Sequence, residues 1–140
     1  MTMNRQDFQA LAEIRVADAR VLLDAGQYAG AYYLCGYAVE CGLKACISKQ
    51  TREHEFPNLN RVRQSYTHDL RKLVVRAGLE GELDTRRRID ADFKTHWEIL
   101  EGWSEQARYD HDITGEQARD LFNAVTDNSY GVLQWLRNFW

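Results

Sequence analysis

Tyr33, Tyr37, Glu40 and Lys44 are the side chains whose types and spacing could do chemistry together. They lie in the segment GAYYLCGYAVECGLKACI, which is otherwise apolar or small. An α-helix turns about 100° per residue, so this spacing puts all four within one arc. Leu34, Val39, Leu43, Cys46 and Ile47 cover the rest of the helix. A helix apolar nearly all round is buried, and a buried acid and base must find partners or cost several kcal/mol. The sequence therefore predicts a line of tyrosine, carboxylate and ammonium in or beside the core. Such a line either fixes helix register or forms the polar wall of a binding cleft. Glu40 and Lys44 are an i,i+4 pair in the favourable order, and Arg15 and Arg108 are the candidate partners of Glu40 from elsewhere in the chain.

A second group follows the aromatic-rich stretch ending at Trp103. The Arg108 guanidinium could bind a phosphate or pair with Glu40, with Tyr109 beside it. His111 is a candidate acid or base, although a loop histidine between Asp110 and Asp112 is usually just solvated. Arg63 and His68, with four residues between them, are a further Arg/His combination. Cys35, Cys41 and Cys46 fall on one predicted helix, without a CxxC motif or a Cys/His cluster. Reduced thiols in a cytoplasmic protein are the simplest reading, with no metal site and no cofactor expected.

These residues need elements to position them, and the chain reads as helical throughout, with no segment alternating at period two. A first helix starts at Asn4 as N-cap, with Asp7 three residues on, and ends near Ala25-Gly26. Phe8, Leu11, Ala12, Ala19, Leu22 and Leu23 form one apolar face, with Arg15 in its middle. Ala10, Ile14, Ala17 and Val21 form a second stripe nearly opposite, which suggests a subunit interface. The second helix spans about 27–49 and pairs with the first as an antiparallel hairpin. A loop at 50–66 carries Pro57, the single proline. The third helix is placed from Thr67 to a stop at Gly78. A fourth is placed over 85–103, with Ile89, Phe93, Trp97, Leu100 and Trp103 at helical spacing. A fifth opens on a capping box at Thr114 and Gln117 and runs to the end. The expected fold is an all-α, antiparallel up-and-down bundle of about five helices in one domain over 1–140.

Composition limits the function classes. The 140 residues are 44% hydrophobic and 28% charged, ordinary for a globular domain with a real core. No apolar run approaches a membrane span, and the first residues, MTMNRQDFQ, lack the apolar core of a signal peptide. The net charge of −3 hides an asymmetry: residues 61–88 hold eight Arg/Lys and four Asp/Glu. That basic stretch reads as a solvated helix start and loop, or as a site for RNA, nucleotide or an acidic partner.

An ordered set of short motifs then stands out. The pattern A-x-x-LL-x-x-G-x-Y at Ala19 to Tyr28 continues into YAVECGLKA at 37–45. His68-Asp69-Leu70 with Leu73 follows, and later Trp103 with Arg108-Tyr109. In this set the chain resembles the HEPN domain, named for higher eukaryotes and prokaryotes nucleotide-binding. The resemblance implies an antiparallel, nucleotidyltransferase substrate-binding-like helical bundle that usually dimerises. It also implies two roles. One is a non-catalytic module binding RNA, nucleotide or a partner protein, such as a nucleotidyltransferase in a toxin–antitoxin or defence system. The other is a metal-independent endoribonuclease, whose signature is Arg, four to six residues, then His. Arg108 to His111 is too short for that signature, and Arg63 to His68 fits the spacing but falls earlier than the motif normally does. The expectation is a homodimeric binding module using Tyr33, Tyr37, Glu40, Lys44, Arg108 and Tyr109. The alternatives are an endoribonuclease using Arg63/His68 or Arg108/His111, and a structural adaptor.

Overall fold

The computed structural model describes residues 3–53 and 67–140. Arg63 lies outside the described residues. Seven α-helices and one 3-10 turn are present among those described, with no strand. The helices are α1 (Arg5–Asp24), α2 (Tyr28–Glu53), α3 (Leu70–Arg76), α4 (Glu80–Ile89), α5 (Ala91–Glu101), α6 (Gly115–Thr126) and α7 (Val132–Leu136). The 3-10 turn spans Glu105–Tyr109.

Local chemistry sets the boundaries. Asn4 and Asp7 form a reciprocal capping box at the start of α1, and Thr114 and Gln117 form another at α6. Each satisfies backbone donors that the first helical turn leaves open. Gly26 turns the chain from α1 into α2 at φ +76°, a conformation that costs other residues a Cβ clash. The two helices then pack along their lengths as a hairpin.

Three predicted boundaries differ, each through a short acidic side chain. Asp69, expected inside the first turn of the third helix, is instead the N-cap of α3, accepting from the backbone N–H groups of Arg71 and Lys72. The single helix expected over 85–103 is two. It starts earlier, at Glu80, and breaks at Asp90, whose side chain caps α5 by accepting from the N–H groups of Asp92 and Phe93. Ile89, at the break, is exposed rather than on the apolar face. The last helix also divides, because the Asp127 carboxylate accepts from the Tyr130 N–H and closes a turn before α7. Asp competes with the helix for backbone donors and so favours caps and turns.

The core surrounds α2. Cys35, Val39 and Leu43 are fully enclosed, with α1, α3, α6, α7 and the 3-10 turn packed around them. Phe93, Trp97, Trp135 and Phe139 form an aromatic cluster between α5 and α7, with centroids 5.3–6.4 Å apart. No helix of the described residues is long and apolar enough to cross a membrane. The second stripe of α1 is left open: Ala10 and Ala17 are exposed, and Ile14 and Val21 are 51% and 67% exposed.

Candidate functional site

The line on α2 forms as its spacing predicts. Tyr33 and Tyr37 stack with centroids 6.0 Å apart and planes 17° from parallel. One turn further on, Lys44 Nζ donates to Glu40 Oε2 at 3.0 Å. Glu40 is 1% exposed and is the one charged residue in the core among those described.

The expected partners of Glu40 are not its partners. Arg15 turns to Asp18 on its own helix, at 2.6 Å, because an i,i+3 carboxylate is within easy reach. Arg108 turns to Glu105, at 3.0 Å. The group that reaches Glu40 from outside α2 is His68, whose Nδ1 lies 2.8 Å from Glu40 Oε2. His68 sits just before the N-cap of α3, so the packing of α3 on α2 carries its imidazole to the carboxylate. Glu40 Oε1 is buried and has no hydrogen-bond partner.

Glu105 continues the network on the other side. Its Oε1 lies 3.9 Å from His68 Nε2 and 3.0 Å from Arg108 NH1. One carboxylate oxygen therefore stands between the histidine and the arginine. The Arg108 guanidinium lies over the exposed Tyr109 ring, 4.9 Å from its centroid. Its hydrogen bond to Tyr109, together with the charge of Glu105, holds its proton even more firmly than usual.

Trp103 fastens this 3-10 segment to α2. Its indole stacks on Tyr33 at 6.2 Å and lies so close to Gly36 that a Cβ there would fall 2.2 Å from the ring. Only glycine permits that approach. The Trp103 Nε1 is buried with no acceptor. Burial pushes the Tyr33 hydroxyl up, partly offset by Arg108, while Glu40 and Glu105 add to the rise. Burial, then Cys41 and Glu40, push Tyr37 up to about 12.

The structure thus joins Tyr33, Tyr37, Glu40, Lys44, Arg108 and Tyr109 with His68 and Glu105 into one patch spanning α2, the start of α3 and the 3-10 turn. Sequence reasoning missed the Glu40–His68 contact and the bridging role of Glu105. The signal available for Glu105 was its i,i+3 position before Arg108. His111 does not join: it is exposed and makes no hydrogen bond or ion pair with a described residue. Of the six Arg and Lys of 61–88 that are described, three are paired with carboxylates, and Lys72, Arg76 and Arg88 make no ion pair with a described residue. Arg71 and Arg87 both turn to Glu101, and Arg86 turns to Asp90. Among the described residues no group of three or more His, Cys, Asp or Glu could hold a metal ion. The three cysteines are free and buried.

No curated protein and no solved structure matches the chain. A family model described as HEPN domain matches residues 7–137, nearly the whole length. The all-helical hairpin-based bundle agrees with that match, and the chain belongs to the HEPN domain family.

Proposed function

We propose that the chain is a homodimeric module that binds RNA or a nucleotide at the patch around Arg108 and Tyr109. The observation that carries this reading is the pairing of a solvent-facing guanidinium with an exposed aromatic ring, a cation–π contact at 4.9 Å, beside the Tyr33–Tyr37–Trp103 stack. An exposed ring offers a face for a base, and a guanidinium offers paired donors for a phosphate. The Glu40–His68–Glu105 network fixes the 3-10 turn that presents both. The exposed second stripe of α1 supports dimerisation through that helix with a second copy. Buried free thiols fit a reducing compartment such as the cytoplasm. A nucleotidyltransferase-type partner, in a toxin–antitoxin or defence setting, remains part of this proposal through the family resemblance.

The test is anisotropy of a labelled short single-stranded RNA, with ATP as competitor. Arg108→Ala combined with Tyr109→Ala weakens binding at least about tenfold while the circular dichroism stays unchanged. Unchanged affinity rejects the site. Lys44 is unsuitable for this purpose, because it partners a buried carboxylate and its loss disturbs the fold.

One observation favours a second reading, the metal-independent endoribonuclease. Glu40 at 2.8 Å from Nδ1 can hold the imidazole in the tautomer that leaves Nε2 as a base. His68 would then take the proton of a ribose 2′-OH, and Arg108 would stabilise the charged phosphorane, giving a 2′,3′-cyclic phosphate. Incubation with RNA in EDTA decides it. Cleavage lost in His68→Ala supports the reading, and no cleavage by the wild-type protein ends it.

A further inference from the structure

The full charges at the patch are already matched. Lys44 faces Glu40 and Arg108 faces Glu105, each at 3.0 Å. A phosphate arriving there meets no net positive charge from these four groups unless one carboxylate gives way. Glu40 is 1% exposed and enclosed by the core around α2. Glu105 is placed differently. Its side chain is 18% exposed and, with that of His68, lines a groove of about 610 Å³ that runs on toward α3, α4 and α5. It has open space to move into.

The backbone explains where Glu105 stands. Side chains three residues apart eclipse in a 3-10 turn, so Glu105 lies over Arg108. The packing of α3 brings His68 to the same carboxylate from the other side. One oxygen, Glu105 Oε1, is therefore 3.0 Å from the Arg108 guanidinium and 3.9 Å from His68 Nε2. A phosphate oxygen held between that guanidinium and that imidazole would occupy the place this carboxylate oxygen now fills.

We propose that Glu105 is an internal stand-in for the ligand's phosphate, and that a phosphate binds at Arg108 by displacing the carboxylate into the groove. Glu105 thereby sets which anions the site accepts. A lone carboxylate or phosphate gains little, because the exchange replaces one anion with another. An RNA strand or a nucleotide gains the stacking of a base on Tyr109 as well. This inference rests on the binding reading above, and the variants below tell the two apart.

The probe is a short fluorescein-labelled single-stranded RNA, followed by anisotropy. Glu105→Gln keeps the side-chain length and an acceptor for Arg108 but removes the charge. It tightens binding at least about fivefold, and the gain disappears when Arg108→Ala is added. Asp110→Asn removes a neighbouring exposed charge that makes no ion pair with a described residue, and shifts affinity by less than about twofold. Should Glu105→Gln fail to fold by circular dichroism, Glu105→Ser carries the same expectation. If Glu105 only braces the turn, Glu105→Gln binds as the unaltered chain does or more weakly, and either result overturns the proposal. A gain that persists beside Arg108→Ala, or an equal gain in Asp110→Asn, also overturns it. Binding that falls in Arg108→Ala but does not rise in Glu105→Gln removes this inference and leaves the ligand site standing. Affinity unchanged in Arg108→Ala with Tyr109→Ala, or no binding by either the unaltered chain or Glu105→Gln, removes both.

Discussion

Replacing Lys44 by Met tests the central physical claim, that α2 carries a buried charge whose cost is offset by specific partners. Glu40 is 1% exposed and places both of its contacts on one oxygen, Oε2. Its other oxygen has no partner. Lys44 is the ammonium paired with Glu40, with only 16% of its side chain exposed. His68 is 47% exposed and can turn to water. Removing one partner of a buried pair typically costs about 3–5 kcal/mol, and the single remaining contact places Lys44→Met in that range. For a chain of this size the fall in Tm is on the order of 10–20 °C. Glu40→Met costs less, about 1–2 kcal/mol, because the Lys44 stem can carry its ammonium outward. Combining the two removes both charges and leaves an apolar helix face, so the double variant regains most of the stability lost in Lys44→Met. Urea denaturation followed by tryptophan fluorescence, at constant m-value, measures all three. A loss below about 1 kcal/mol for Lys44→Met, or a double variant as unstable as the sum of the singles, would refute the reasoning.

Three further outcomes follow from the same geometry. Gly36→Ala sets a Cβ 2.2 Å from the Trp103 indole, so it destabilises by about 1–3 kcal/mol and shifts the tryptophan emission, with weaker ligand binding at Arg108; a neutral effect would show that the indole does not rest on α2. Burial raises the thiol of Cys41 from 9.0 to about 11 and that of Cys46 from 9.0 to about 12, so the folded state keeps protons that the unfolded chain releases. Stability from this source is complete below about pH 9 and is lost as pH rises through the folded values, so urea midpoints fall between pH 8.5 and 10.5, roughly, and fall less in Cys41→Ala. Ile14→Lys with Val21→Lys places charge on the exposed stripe of α1 and yields a 16.3 kDa monomer by scattering mass, against twice that mass for the unaltered chain.

Much of this molecule was legible in the sequence because its signals are local. Periodicity placed α1 and α2, the Asn4 and Thr114 boxes placed two helix starts, and Gly26 and Gly78 placed two turns, both at positive φ. The polar line from Tyr33 to Lys44 followed from the 3.6-residue repeat alone. The breaks at Asp90 and Asp127 were harder to read, because apolar spacing runs on across them while a single carboxylate redirects the backbone. Local pattern also fixed that Glu40 must be paired, since a carboxylate on an all-apolar helix has no other stable state. It could not say by what. Arg15 and Arg108 each had a closer acid, at i,i+3, and His68 reached Glu40 from 28 residues away. Which cation or imidazole meets a buried acid depends on how α3 and the 3-10 turn pack onto α2, and packing is a property of the assembled bundle rather than of any one segment.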